Sequence, residues 1–152
     1  MPGKFLRTIE FFVPGVPRPG GSKRVFLNRK TGKPIVTDMS NNQGWKSAVR
    51  FAAAVAAQDG PLSGPLSLLI TFYMPRPKSH FRSGKFAGQI KPTAPIYPTN
   101  MPDTTKLIRS TEDSLTGIVW SDDCLVAVQS ACKLYGGRVG ALIKVSELDP
   151  NG

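Results

Sequence analysis

Two alternating stretches on either side of Gly136-Gly137 constrain this chain more than any other feature. In residues 123–135, Cys124, Val126, Val128, Cys132 and Leu134 recur at every second position, interrupted only by Ser130. In residues 138–146, Val139, Ala141, Ile143 and Val145 do the same. A side-chain period of two places each set on one face of a strand. Two glycines between such strands suit a tight turn, because I′ and II′ turns need positive φ. The expected unit is a C-terminal β-hairpin, with Leu134 meeting Val139 on the apolar face and Tyr135 meeting Arg138 on the other.

The remaining elements are read from the same kind of pattern. Residues 5–13 read as a strand, broken by Pro14, Pro17 and Pro19 among glycines. Residues 24–28 and 34–37 suggest a short hairpin around Gly32 and Lys33. Trp45, Val49, Ala52 and Ala56 have helical spacing, so 41–58 reads as a helix. Asp38, Ser40 and Asn41 are its candidate caps, and Asp59-Gly60-Pro61 stops it. The apolar run 66–74 reads as a buried strand. A second helix is expected over 104–116, with Leu107, Ile108, Thr111 and Leu115 inward and Lys106, Arg109, Ser110 and Asp113 outward. Between strand and helix, 75–101 is a long, basic, proline-rich loop expected to be mobile. The sum is an α+β fold, a mixed β-sheet with two main helices, in one domain over 1–152.

Charge narrows the function. The net charge is +10, and the bases are not spread evenly. Residues 1–34 include Arg18, Lys23 and Arg24 and only one acid, Glu10. Residues 75–92 add Arg76, Lys78, Arg82, Lys85 and Lys91 with no acid. Asp103, Glu112, Asp113, Asp122 and Asp123 instead fall close together. A basic body with one acidic cluster points to a polyanion partner and a cation site. Cys124 and Cys132 lie about 26 Å apart along an extended strand, too far for a disulfide. They are expected to be free thiols serving as small core residues, as in a reducing cytoplasm. No stretch resembles a signal peptide or a membrane span. The lone His80 argues against zinc or histidine-based chemistry and is expected to face solvent. No phosphate-cradling or dinucleotide-binding glycine motif is present.

Residues 102–123, PDTTKLIRSTEDSLTGIVWSDD, carry the chemistry. Asp103 opens the second helix, and Asp122-Asp123 opens the next strand. A helix followed by a returning strand lets the two acidic groups meet at one sheet edge. Carboxylates brought together suit an oxygen-preferring dication such as Mg²⁺, with Mn²⁺ as the alternative. Lys106 and Arg109 lie on the same helix, placed to meet a phosphate. Each residue also has an ordinary reading: Asp103 as a helix cap, Asp122-Asp123 as a turn, Arg109 and Asp113 as a surface ion pair, and Trp120 as packing.

Read as a whole, the segment resembles the signature of the RusA family of Holliday junction resolvases. The matching positions are Pro102, Asp103, Leu107, Arg109, Asp113, Leu115, Gly117, Trp120, Asp122 and Asp123, and PGVPRPGGSKR resembles the family's opening. The resemblance implies a Mg²⁺-dependent endonuclease, a homodimer cutting branched DNA at a four-way junction, often of phage or prophage origin. It implies metal binding by Asp103 and Asp123 with Asp122 beside them, and a catalytic cation at Arg109, where the family has lysine. Lys106, Arg18, Lys23, Arg24, Arg76, Lys78, Arg82 and Lys85 are the expected DNA contacts. Thr105 departs from the pattern, standing where the family usually has an aspartate. That departure keeps open a protein that binds branched DNA without cutting it; a basic RNA-binding protein is a third reading.

Overall fold

A computed structural model describes residues 5–20, 23–38 and 41–152 of the chain. The main sheet has four strands: β1 (Phe5–Pro14), β4 (Leu66–Met74), β5 (Val126–Tyr135) and β6 (Gly140–Leu148). Its order is β1-β6-β4-β5, with β4 parallel to β5 and the other neighbours antiparallel. β2 (Lys23–Leu27) and β3 (Pro34–Asp38) form a separate antiparallel ribbon. Helices α1 (Gln43–Ala56) and α2 (Thr104–Leu115) complete the α+β fold. Among the described residues no helix is long and apolar enough to cross a membrane.

β4 is the spine. Leu66, Leu68, Ile70, Phe72 and Met74 all point into the core and are buried. They meet Ala141, Ile143 and Val145 of β6 on one side and Trp45, Val49 and Ala53 of α1 above. The buried indole of Trp45 donates to Thr111 Oγ1 at 3.2 Å, joining the two helices. The helix bounds agree with the sequence pattern to within two residues. Asn42, not Asn41, is the N-cap residue of α1, and its side-chain amide bonds Pro19 O instead of capping. Of the other expected caps, Ser40 and the side chain of Asp38 lie outside the described residues.

Four expectations are corrected. β5 and β6 are consecutive, antiparallel and joined by a short turn, but they do not pair with each other. β4 lies between them, so Leu134 aligns with Tyr73 rather than Val139. The connection crosses the end of β4, where Gly136 N donates to Met74 O. A Cβ on Gly136 would lie 2.7 Å from the Tyr73 ring, which is why the crossing needs glycine. Second, the ladder shifts register between Leu66 and Ser67, which pair with Val126 and Val128. The extra residue reverses the facing of everything after it. Ala131 and Tyr135 therefore pack on the core, while Cys132 is exposed. Cys124 is exposed too, in a 3-10 turn at Asp123–Leu125, so neither free thiol is a core residue.

Third, Ser110 is fully buried. The loop after β1 lies across α2 there: Ser110 Oγ donates to Arg18 O at 2.5 Å, and Gly20 N to Lys106 O at 2.9 Å. Fourth, the 75–101 segment carries its own hydrogen bonds. A bridge joins Phe81 to Ile90, Lys91 N donates to His80 O, and Tyr135 N donates to Ile96 O at 2.9 Å. His80 is half-buried, its ring edge-on to Tyr135 with centroids 4.9 Å apart.

Candidate active site

The acidic residues are distributed by α2 and the turn that follows it. Leu107, Ser110, Thr111, Ser114 and Leu115 bury one face of α2. The opposite face then carries Thr105, Arg109 and Asp113 to the surface, with Glu112 half-buried beside them. Beyond the helix, the chain folds back so that Asp123 comes under it. Asp123 Oδ1 accepts two hydrogen bonds, from Trp120 Nε1 at 2.9 Å and from the Thr116 hydroxyl. Thr116 Oγ1 also lies 3.0 Å from Glu112 O. A hydroxyl has one proton, and the ionised carboxylate is the stronger acceptor. With Oδ1 held twice, Oδ2 is the oxygen left for an outside partner.

Thr105, Arg109, Glu112, Asp113, Asp123 and Gln129 line a shallow cleft of about 260 Å³. Gln129 Nε2 donates to Glu112 Oε2 at 2.5 Å. The Glu112 carboxyl is pushed up from its ordinary value by burial first, then by Asp123 and Asp113, against the Gln129 bond that lowers it. Arg109 is the cation among these acids.

Asp103 and Asp122 stand apart from this cleft. Asp103 is the N-cap residue of α2, yet its side chain makes no cap bond. Asp122 is exposed and caps the 3-10 turn through Cys124 N at 3.0 Å, which holds its carboxyl below the ordinary value. α2 spans about 18 Å, so Asp103 and Asp123 sit at opposite ends of it. The expected meeting at one sheet edge does not occur within the chain. β5 runs antiparallel to α2, and its far end reaches the Asp103 end, where Lys133 Nζ bonds Asn100 O and Pro102 O. Among the described residues, no three His, Cys, Asp or Glu side chains gather closely enough to hold a metal.

A family model described as Endodeoxyribonuclease RusA matches residues 14–146. The chain belongs to the RusA family. It is also 28% identical over 147 residues to a Bacillus subtilis (strain 168) protein named "Uncharacterized protein YqaN", covering 92% of this chain and 96% of that one.

The RusA signature residues thus divide between those that line the cleft and those, Asp103 and Asp122, that do not. Arg109, Asp113 and Asp123 reach the cleft, as does Thr105, the position of departure. Lys106 is half-buried and does not line the cleft. Arg18, Lys78, Arg82 and Lys85 are exposed and Arg76 is half-buried, while the side chains of Lys23 and Arg24 lie outside the described residues. Gln129, Thr116 and Lys133 were not anticipated, and Glu112 was noted only as a member of the acidic cluster. Glu112 had a signal, since it follows Thr105 by seven residues and so shares its helix face. Gln129 and Lys133 had none, because both were assigned to the wrong face of β5.

Proposed function

We propose that this chain is a metal-dependent, structure-selective endonuclease that resolves four-way DNA junctions by phosphodiester hydrolysis, working as a homodimer in the cytoplasm. The supporting observation is the double clamp on Asp123 Oδ1, which aims one carboxylate oxygen into a cleft holding Arg109.

The donor set suits a hard dication, since it offers only oxygens and leaves Asp103 and Asp123 Oδ2 without a cap or clamp. One or two carboxylates completed by water are enough for Mg²⁺, and Mn²⁺ takes the same ligands. When bound, the ion supplies an activated water and offsets the charge that develops on the phosphate. Trp120 and Thr116 orient Asp123. Arg109 binds and neutralises the phosphate. Asp122, already capping its turn, supports the position of Asp123. Lys106, Arg18, Lys23, Arg24, Arg76, Lys78, Arg82 and Lys85 supply phosphate contacts, which carry most of such an affinity.

The separation of Asp103 from Asp123 favours a homodimer. In a two-fold pair the same surfaces face each other reciprocally, so Asp103 of one subunit can meet Asp123 of the other. Two such shared sites would serve two strands of a junction. Thr105 favours a second reading, binding without cleavage, because a hydroxyl replaces a carboxylate in the cleft.

The test uses an end-labelled four-way junction with and without Mg²⁺. Paired nicks that need Mg²⁺ and vanish in Asp123→Asn support the endonuclease; tight binding without nicks in Mg²⁺ or Mn²⁺ supports the second reading. Mixing Asp103→Asn with Asp123→Asn subunits restores one intact site only if the sites are shared, giving single nicks. No recovery in verified heterodimers refutes sharing.

A further inference from the structure

A second, larger concavity lies at the Asp103 end of α2 and shares no residue with the Asp123 cleft. Its volume is about 510 Å³, within the roughly 300–1,000 Å³ typical of small-molecule sites. The proline-rich loop after β1 forms one wall, and the two ends of the 75–101 segment form the others. Its lining combines proline and methionine side chains with the Tyr135 ring. Among the described residues, Arg18, Arg76 and Lys133 are the charged ones in its lining, all cations.

The walls are held by specific bonds. Arg76 donates to Pro95 O at 2.8 Å, and its guanidinium lies 5.2 Å from the centre of the Tyr135 ring. Lys133 holds the last turn of the segment through Asn100 O and Pro102 O. Arg18 is exposed at the rim, its carbonyl fixed by buried Ser110. Met101, 73% exposed, overhangs the rim.

We propose that this pocket takes one unstacked nucleotide of the DNA substrate, its base against the proline and methionine walls and its phosphates on Arg18 and Arg76. This rests on the reading of the chain as a nuclease of branched DNA. Apolar walls with a purely cationic rim complement a flat base on a polyanionic backbone. Pro102 is a wall, and Asp103 is the next residue, so the pocket's nucleotide neighbours the phosphate presented to Asp103. Taking a base out of the stack is less costly where the stack is already interrupted. At the point of strand exchange the continuous stack of the duplex is broken, so the pocket selects branched over continuous duplex.

The experiment places 2-aminopurine at each crossover position of a four-way junction in turn and follows its fluorescence on binding in EDTA, where no cutting occurs. Nicking of the same junctions in Mg²⁺ is measured separately. One position is expected to brighten several-fold with the unaltered protein. That rise should be lost in Met101→Glu, which sets a negative charge at the rim, and at least threefold weaker in Arg18→Ala. Lys144→Ala, which removes an exposed charge on a different strand, controls for net charge.

No rise at any position, with nicking intact, overturns the pocket and leaves the nuclease standing. A rise that survives undiminished in both pocket variants also overturns it. A variant-sensitive rise without nicking supports the pocket and refutes cleavage. Failure to bind junctions refutes both. Loss of dimers in Met101→Glu, seen by sedimentation, assigns the surface to a second copy of the chain and overturns the proposal.

Discussion

Trp120→Phe tests the clamp on Asp123. Trp120 is fully buried, and its Nε1 lies 2.9 Å from Asp123 Oδ1. Phenylalanine keeps most of the ring's apolar contact and removes only the N–H and part of the volume. Losing a hydrogen bond to an ionised acceptor costs about 1.5–3 kcal/mol. The missing part of the indole, roughly 40 Å³ at about 24 cal/mol per Å³, adds about 1 kcal/mol. Together these give about 2.5–4 kcal/mol. At roughly 2–4 °C per kcal/mol for a chain of this size, Tm falls by about 5–16 °C. A freed Asp123 also loses its aim, so Mg²⁺ affinity should drop about 10–100-fold. Circular dichroism melts in EDTA read the first effect and calorimetric Mg²⁺ titration the second. Thr116→Val removes the other donor to the same oxygen with little change of volume, and should lower Mg²⁺ affinity in the same way. A Tm loss limited to the cavity share, about 2–4 °C, with Mg²⁺ affinity unchanged in both variants, refutes the clamp.

Glu112→Gln should separate stability from function. Folding raises the Glu112 pKa, chiefly by burial and then by Asp123 and Asp113. A raised acid contributes stability at low pH that is lost as pH rises through its folded value. In EDTA the variant should therefore melt above the unaltered protein at neutral pH and match it once pH falls below the ordinary glutamate range; equal melts across that range would refute the assignment. Gly140→Ala should destabilise severely, because Gly140 has φ +155° and a Cβ there would run into the Val13 carbonyl; chemical denaturation reads the loss, expected at several kcal/mol (about 3 or more). Both thiols should react with an aromatic disulfide reagent in the folded protein, since Cys124 and Cys132 are exposed. Their burial, as the alternation alone suggested, would instead require denaturant for reaction.

Much of this protein is legible in local pattern. The bounds of β4, α1 and α2 follow from apolar spacing and from proline and glycine stops, because helix and strand periodicity depend on near neighbours in the chain. The family is legible too, because the spacing from Pro102 to Asp123 is a property of sequence. Only tertiary structure decided which strands pair. A strand edge offers the same N–H and C=O groups to any neighbour, so alternation beside Gly136-Gly137 could not show that β4 slips between β5 and β6. One register shift reversed β5 after Val126, which brought Gln129 to Glu112 and Lys133 to Pro102 and left Cys132 outside. Ser110 became buried because a loop from more than 90 residues earlier lies on it. The antiparallel course of α2 and β5 put Asp103 and Asp123 at opposite ends of a helix about 18 Å long. Spacing along a chain says which carboxylates are present, whereas the direction in which each element runs decides whether they meet.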